Sequence, residues 1–591
     1  MMPDIQLETF RREPPAPLAP RPLNLPVPVE TTLPNGLRVV FVENTRLPFV
    51  TCRLAFRSGD AHDPPTLPGL TDILTGMLNE GTETRTSRQI ADAVARIGAT
   101  LGAGASSDNT TVAASALSQF KDEILELMAD ITLRPSFPDN ELELTKQNAL
   151  QNLIAQRGQP SFLANEQLAR VIYGEHPYSV VSATPESIAA MSRDDLVRFH
   201  RRRFIPNNAV LVVGGDIRYA EALARIEDLF GAWQPGEPEA SEFPAPPARE
   251  GRTLYLVDRP GSAQSNIIIA NTAITRTDPD YFSMLVMHTV LGANASSRIF
   301  MNLREDKGYT YGAYTSLDAR RAAGSFRATA EVRTPVTGES LKEFFYELGR
   351  IREDLVTEKE LLDAQTYLTG IFPIRLETLD GLIDQLIQIK MHDLPDDYLH
   401  TYRERVSAVT REEVLRVARR YVTPERAAIV VVGDAEALAD EIKGYAEEIE
   451  IYDSAGKRKD APTARAVRET TTNGSDMSST STTGDQAGFV GSWQLEITSP
   501  LGPQTATLIV EEDGAGGALR ARMSSSWGEA PLDTIAQNGD IFTAAVALKI
   551  QGMSIQANIE GRREGDNMSG TIRTNMPIVP PLMFTGRKIS Q

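Results

Sequence analysis

The sequence predicts an α+β protein made of two copies of one unit, in which helices cover one face of a mostly antiparallel sheet, followed by a small all-β module. Three observations predict this architecture. Runs with strand periodicity alternate with long helical patterns through residues 31–452, and the end of the first half of that region recurs at the end of the second half. The residues after 487 contain only short alternating runs separated by Gly, Asp and Asn turns.

The composition is typical of globular proteins, with 41% hydrophobic and 24% charged residues in a chain of 591. That length allows roughly four domains of ordinary size. The formal net charge of −19 argues against a nucleic acid partner, because a phosphate-binding surface needs an excess of Lys and Arg. The single cysteine, Cys52, excludes an internal disulfide. No run approaches the ~18 apolar residues of a membrane helix, so no transmembrane segment is expected.

Residues 1–30 are rich in proline and are predicted to form an extended arm. The first five residues, MMPDI, lack the charged and apolar regions of a signal peptide. On this basis the protein is either cytoplasmic or produced with a leader that this sequence does not include.

Residues 31–233 are predicted to form the first α+β repeat. A β-patterned run occupies residues 37–42, and a helical pattern occupies residues 117–132. The repeat ends in a capped helix, a turn and a buried apolar strand closed by Gly-Asp, with the sequence FIPNNAVLVVGGD at residues 204–216.

A Pro- and Glu-rich linker at residues 234–250 leads to the second repeat, residues 251–452. Its strand and helix patterns lie at residues 266–270 and 339–355. Its ending, YVTPERAAIVVVGD at residues 421–434, again combines a turn with an apolar strand closed by Gly-Asp. The matching endings indicate that one unit has been duplicated.

Residues 453–486 are rich in Ser, Thr and Gly and have few apolar residues, so they are predicted to form a disordered linker. Residues 487–591 are predicted to form a small β-barrel or sandwich, with strands at 493–497, 506–510, 541–546 and 569–572. The GSW opening and the FTGR close of this module resemble those of lipocalin-like proteins.

The segment PGLTDILTGMLNEGT at residues 68–82 resembles the signature helix of the pitrilysin/insulinase family, the inverted zinc metallopeptidases, which carries the motif H-x-x-E-H. In that motif two His one helical turn apart hold Zn²⁺, and the Glu activates its bound water. The three positions here are Asp72, Thr75 and Gly76. The further carboxylate ligand of the family corresponds by spacing to Asn152, a poor zinc ligand. The resemblance, over roughly residues 30–450, therefore implies two peptidase-like repeats without zinc and a chain that is not active alone.

The segment LREDKGYTYGAY at residues 303–314 resembles the Arg-x6-Tyr motif that this family places in its non-zinc half, here Arg304 and Tyr311. The resemblance implies that both side chains donate hydrogen bonds to substrate carbonyls and to the developing oxyanion bound at the zinc half. A guanidinium and a phenol suit that role. The alternative is that Arg304 pairs with Glu305 on the surface and that Tyr311 is a core residue of a strand. The location in the second repeat favours the functional interpretation.

A second candidate surface is the small-residue run Gly102, Ala103, Gly104, Ala105 and Ser106. It resembles the edge strand by which the family binds substrate peptides through β-addition. An ordinary turn after a strand is an equally good interpretation from sequence.

The resemblance implies a non-catalytic subunit of a heterodimeric zinc peptidase. Its partners would be a homologous H-x-x-E-H subunit, which carries the zinc, and peptide substrates. One alternative is a structural or scaffolding paralogue, like the core subunits of respiratory complex III. Another is a carrier of a ligand-binding C-terminal β-module. The Arg304 and Tyr311 pair favours the peptidase subunit, and related exported two-chain peptidases predict a periplasmic or otherwise exported location.

Overall fold

The computed structural model of the chain describes residues 22–238, 242–459, 490–499, 502–513, 518–525, 528–538, 540–550, 553–574 and 582–590. These residues fall into two compact units, Met1–Arg465 and Ala466–Gln591. The predicted repeats both lie in the first unit.

The first repeat contains six strands and eight α-helices within the described residues. The strands are β1 (Val29–Thr32), β2 (Arg38–Glu43), β3 (Phe49–Phe56), β4 (Thr100–Ala105), β5 (Thr110–Leu117) and β6 (Ala209–Gly215). The helices are α1 (Leu70–Met77), α2 (Ser87–Arg96), α3 (Lys121–Leu133), α4 (Asp139–Arg157), α5 (Pro160–Tyr173), α6 (Pro185–Ala190), α7 (Arg193–Arg203) and α8 (Tyr219–Phe230).

The second repeat, over the part of it that is described, contains seven strands and eight α-helices. The strands are β7 (Thr253–Asp258), β8 (Gln264–Ala273), β9 (Thr310–Ala319), β10 (Gly324–Arg333), β11 (Ala428–Gly433), β12 (Glu448–Tyr452) and β13 (Arg458–Lys459). The helices are α9 (Tyr281–Leu291), α10 (Arg298–Phe300), α11 (Thr337–Glu353), α12 (Glu358–Arg375), α13 (Leu379–Met391), α14 (Tyr398–Ser407), α15 (Arg411–Tyr421) and α16 (Ala435–Ile442). A π-helical segment, Met301–Asp306, continues α10.

The two sheets have the same strand topology. The order β2-β6-β3-β5-β4 in the first sheet matches β7-β11-β8-β10-β9 in the second. In each sheet the first of these pairs is parallel and the other three are antiparallel. The sheets are therefore mostly antiparallel, and the α+β class predicted from sequence is confirmed. The shared order is what a duplicated unit would produce.

The prediction that helices cover one face of each sheet is incomplete, because the repeats exchange a helix. Helix α5 of the first repeat packs on β7, β8 and β11 of the second, in a cluster that includes Leu168, Tyr255 and Val430. Helix α13 of the second repeat packs on β3 and β6 of the first, where Ile383 lies against the backbone of Gly214. The central strands are apolar on both faces, so each face needs a covering layer. The two repeats consequently form a single packed body.

The disorder predicted for residues 453–486 does not extend to their start. Residues 453–457 form a turn in which the Asp453 carboxylate accepts hydrogen bonds from the backbone N–H groups of Ala455 and Lys457. Strand β13 follows and pairs with β12. An Asx turn supplies hydrogen-bond partners for the backbone N–H groups of a short polar segment. The composition of the segment did not predict this turn. Residues 460–486 lie outside the described residues, as do residues 1–21 of the predicted arm.

The second compact unit is a closed antiparallel barrel over its described residues. Its strands are β14 (Gly491–Ser499), β15 (Gly502–Asp513), β16 (Ala518–Ser525), β17 (Gly528–Asn538), β18 (Ile541–Ile550), β19 (Met553–Glu564), β20 (Asn567–Thr574) and β21 (Leu582–Ser590). Pairing of β14 with β21 closes the sheet. Its buried side chains are apolar and include Trp493, Leu508 and Phe584. Of the barrel and the sandwich predicted from sequence, the structure has the barrel.

Candidate functional site

Helix α1 presents the degenerate metal positions. Its buried apolar residues are Leu70, Ile73, Leu74 and Met77, which pack into the core of the first repeat. Its N-terminus is capped from a distance, because the Asp63 carboxylate accepts hydrogen bonds from the backbone N–H groups at 69 and 71, at 2.8 and 3.0 Å. Apolar burial therefore fixes the helix without any contribution from a metal.

The residues at the motif positions do not fit zinc. Asp72 is exposed and offers one carboxylate. Thr75 is buried, and its hydroxyl donates to the Asp72 carbonyl oxygen at 2.9 Å. Gly76 has no side chain, and a Cβ at this position would first meet Thr145 of α4, at 3.8 Å. Asn152 is exposed, two turns further along α4. This set supplies a single anionic donor, whereas zinc sites need three or four N, S or carboxylate ligands.

Two further carboxyl groups near Asp72, those of Asp60 and Asp63, have raised pKa values. Burial raises the pKa of Asp60 to about 6, and the charge of Asp72 adds to this effect. Burial raises the pKa of Asp63 to about 7, against the hydrogen bonds that it accepts. Asp72 itself reaches solvent, but the protein around its carboxylate still desolvates it in part and raises its pKa. Within the described residues, no group of three or more His, Cys, Asp or Glu side chains is arranged to hold a metal ion.

The small-residue run predicted as an edge strand is largely strand. Gly102, Ala103, Gly104 and Ala105 belong to β4, which pairs only with β5 in the described part of the chain. Ser106 lies in the turn after β4, where its hydroxyl donates to the Asn109 side-chain oxygen at 2.9 Å. The edge strand therefore includes four of the five predicted residues.

Strand β4 has open space on the sheet face at its two glycines and lies next to the degenerate helix. A Cβ built at Gly102 or Gly104 would have no atom within 4 Å. The strand packs on α1, and the Asn79 amide donates to the Leu101 carbonyl oxygen at 3.3 Å. The free edge of this strand leaves backbone groups available to an extended peptide.

Arg304 lies in the π-helical segment of the second repeat. Its Nε is 3.5 Å from Glu305 Oε1, as the surface ion-pair interpretation expected. Its guanidinium also lies over the Phe300 ring, 4.9 Å from the ring centroid. The side chain remains 45% exposed. The π-helical segment that carries it is a rare backbone conformation that occurs frequently at functional sites.

Tyr311 is 92% exposed, so it is not a core residue of its strand. Strand β9 has a β-bulge against β10, where the register shifts between the partners Ala330 and Val332. In a regular strand Tyr311 would share the buried face of Ala313, two residues on. The extra residue turns the phenol outward, which is a recognised use of bulges.

Thr310 stabilises this bulge, and sequence reasoning did not identify it. Its hydroxyl donates to the Glu331 carbonyl oxygen at 2.6 Å and accepts from the Gly312 N–H at 3.1 Å. The Thr-Tyr-Gly triplet carried a weak signal, since a short hydroxyl side chain beside glycine favours irregular backbone. The bulge leaves Tyr311 accessible to a molecule outside the chain, and Arg304 remains accessible as well, because its contacts are local and cover only part of its side chain.

No helix in the described ranges is both long enough and apolar enough to cross a membrane.

Comparisons with known proteins match the repeats to one peptidase family. A family model described as "Insulinase (Peptidase family M16)" matches residues 38–186, and one described as "Peptidase M16 inactive domain" matches residues 190–368. The uncharacterized zinc protease YmxG of Bacillus subtilis is 24% identical over 409 residues, covering 68% of this chain and 97% of that protein. The non-peptidase homolog YmxG of Helicobacter pylori is 25% identical over 386 residues, covering 64% and 87% respectively.

Among solved structures, the peptidase M16 inactive domain from Pseudomonas fluorescens is similar to this chain with a TM-score of 0.65 and 27% identity. The match covers 69% of this chain and 98% of that domain. The similarity therefore extends over nearly the whole of the related domain.

Proposed function

The chain belongs to the insulinase family of peptidases, family M16, and on that premise we propose that it is the non-catalytic subunit of a heteromeric zinc peptidase. In this proposal a homologous subunit with an intact H-x-x-E-H helix carries the zinc and hydrolyses peptides. This chain supplies Arg304 and Tyr311 as hydrogen-bond donors to the substrate and to its transition state.

The exposed phenol of Tyr311 is the observation that carries the proposal. A tyrosine on the buried face of β9 would gain apolar burial, yet the bulge directs it to solvent at 92% exposure. Folding alone does not explain this arrangement. A phenol O–H held on a sheet edge can donate to a carbonyl oxygen that develops negative charge, and such donors contribute strongly to acyl-transfer catalysis.

The first repeat supports the same proposal, because it lacks a zinc site and keeps an accessible edge strand. Its degenerate helix has no zinc donor set, so hydrolysis requires a metal site on another chain. Its strand β4 lies at the edge of the sheet and pairs only with β5 among the described strands, so an extended peptide can add to it, and the sheet face at Gly102 and Gly104 is open. The chain would thus bind a peptide that its partner cleaves.

Two other functions fit parts of the structure less well. A scaffolding paralogue with no hydrolytic role accounts for the missing zinc ligands but gives no reason to expose Tyr311. A carrier of a lipocalin-like ligand-binding module would use the C-terminal barrel. The buried side chains of that barrel pack on one another, with Phe542 and Phe584 lying over Gly561 and Gly570.

The test begins with purification from the native host to identify a co-purifying H-x-x-E-H chain. The reconstituted pair is then assayed for peptide hydrolysis with Tyr311→Phe and Arg304→Ala. We expect Tyr311→Phe to lower kcat by about 10²–10³ with assembly intact, because it removes one oxyanion donor. Arg304→Ala should also lower kcat and leave stability nearly unchanged, since partly exposed ion pairs contribute about 0–1 kcal/mol.

Tyr314→Phe is the matched control, because Tyr314 lies on the same strand and is 43% exposed, with its ring packed against Phe300. It should leave kcat close to that of the parent pair. Equal hydrolysis by the parent pair and both test variants would refute the substrate role and favour the scaffold.

We also propose an exported, periplasmic location, which follows from the resemblance to exported two-chain peptidases. Fractionation of native cells with an antibody to the chain tests this location. Recovery in the cytosolic fraction would contradict it.

A further inference from the structure

A polar cavity in the second repeat lies outside the surfaces discussed above. It has a volume of about 660 Å³ and lies between α10 with its π-helical continuation, α11, and the first turns of α12. Residues 294, 296 and 297, before α10, form part of its wall. Neither Arg304 nor Tyr311 lines it, and it is not part of β4 or α1.

Three buried polar side chains in this cavity each leave one atom without a hydrogen bond. Arg298, Asn302 and Glu347 line the cavity and are 8%, 9% and 3% exposed. The atoms without a hydrogen bond are Arg298 Nη1, Asn302 Oδ1 and Glu347 Oε2, and the last of these lies 3.5 Å from Arg350 Nη1 in an ion pair. Buried polar groups in folded proteins are nearly always hydrogen-bonded, so three such atoms in one cavity indicate that a partner belongs there.

The remaining atoms of these side chains are held firmly. Glu360 binds Arg298 in a bidentate ion pair, through Nε at 2.6 Å and Nη2 at 3.0 Å, which leaves only Nη1 free. The Asn302 amide nitrogen donates to Glu343 at 3.1 Å and to Glu347 Oε1 at 3.0 Å. Because both of these neighbours are carboxylate acceptors, the amide nitrogen must face them and the oxygen must be the unpartnered atom. The site is therefore preorganised, with one fixed donor beside two fixed acceptors.

The charge of the lining defines the class of ligand. Cationic and anionic side chains are present in nearly equal number: Arg298, Lys307, Lys342 and Arg350 against Asp306, Glu343, Glu347, Glu360 and Asp363. A simple anion or a simple cation would meet groups of its own sign. Arg298 and Asn302 are four residues apart on one helical segment, and Asn302 contacts Glu347 directly, so the Arg298 donor and the acceptors of Asn302 and Glu347 lie close together.

We propose that this cavity binds the zwitterionic headgroup of a free α-amino acid or of a short peptide. The ligand carboxylate accepts from Arg298 Nη1, and the ligand ammonium donates to Glu347 Oε2 and Asn302 Oδ1. The volume is within the range of small-molecule sites and exceeds what a headgroup needs, so the ligand side chain, or a second residue, occupies the remainder. The proposal does not depend on the peptidase function.

Isothermal titration calorimetry on the full chain tests the proposal with glycine, leucine, lysine, glutamate and the dipeptide Leu-Leu. N-acetyl-leucine lacks the ammonium and leucine amide lacks the carboxylate. Saturable binding of at least one free zwitterion is expected, and each blocked form of leucine should bind at least roughly tenfold more weakly than leucine, because it loses the charge-assisted hydrogen bonds to Arg298 or to Glu347. Tighter binding of Leu-Leu than of leucine would identify the peptide as the source of the headgroup, and the reverse would identify the free amino acid.

Glu347→Gln tests the assigned residue, since it keeps the acceptor for Asn302 and removes the charge. It should weaken zwitterion binding at least roughly tenfold. Glu353→Gln, at an exposed position at the end of α11, is the matched control and should bind as the parent does. The proposal is overturned if none of the zwitterions binds and the cavity holds solvent only, or if the blocked ligands bind as tightly as leucine. Unchanged binding in a folded Glu347→Gln variant would also overturn the assignment, and the blocked ligands decide the matter if that variant does not fold.

Discussion

The exchanged helices predict that the two repeats unfold as one cooperative unit. Ile383 on α13 and Leu168 on α5 are both fully buried, and each packs against the sheet of the other repeat. Truncation of either side chain to alanine should lower the free energy of unfolding by about 2–5 kcal/mol, the usual range for a Leu or Ile that leaves a cavity. Both sheets should lose the same amount of unfolding free energy, because they unfold together.

Native-state hydrogen exchange with peptide-level mass spectrometry measures this sharing. A destabilisation of about 3 kcal/mol raises exchange through a common opening by roughly a hundredfold. Ile383→Ala and Leu168→Ala should each accelerate exchange in both β6 and β11 by a similar factor. Leu144→Ala, at a leucine that is 51% exposed on α4, is the control and should change exchange little.

Exchange that changes in one repeat alone would refute this coupling. If Ile383→Ala accelerates exchange in only one of the strands β6 and β11 and leaves the other at the rate of the parent, the repeats open independently and the exchanged helix does not couple them. A biphasic denaturant transition of Met1–Arg465 in both variants would support the same conclusion.

Two further predictions concern zinc and pH. The chain, saturated with zinc and then dialysed, should retain less than stoichiometric metal, because Asp72, Thr75, Gly76 and Asn152 form no ligand set; one tightly held zinc per chain by elemental analysis would contradict this. Burial lowers the pKa of His200 from its ordinary value of 6.5 to about 4, so the folded state favours the neutral imidazole. The stability that results is fully present above pH 6.5 and is lost as the pH falls through 4. The stability difference between the parent and His200→Gln in urea titrations should therefore shrink from pH 7 to pH 5, and a constant difference would show that His200 does not titrate in that window.

Local patterns were sufficient to predict much of the architecture. The apolar runs at the ends of the two repeats became the central strands β6 and β11, with every residue buried. The helical patterns at residues 117–132 and 339–355 became α3 and α11. These elements were predictable because the spacing of their apolar residues along the chain reveals the periodicity of a strand or a helix.

The helix exchange and the bulge were not predictable in the same way. An amphipathic helix has the same pattern whether it covers its own sheet or that of the other repeat, so α5 and α13 gave no sign of their partners. The continuous apolar run 210–213 did indicate burial on both faces, although it did not identify the covering element. The outward turn of Tyr311 depends on its register with β10, and the sequence of β9 alone does not contain that register.

The first and second repeats show that the fold and the chemistry of this family are physically separable. The packing of α1 depends on its buried apolar face, while Asp72 and Gly76 lie on the exposed face, where Gly76 has room for a side chain. Metal ligands could therefore be absent from this helix without a cost in packing, and the shared fold by itself gives no information on catalysis. The reverse holds at Tyr311, where the strand departs from a regular ladder and leaves an aromatic side chain in solvent. The feature that folding does not require is thus the one on which the proposed function depends, and it lies in the repeat that the zinc motif does not involve.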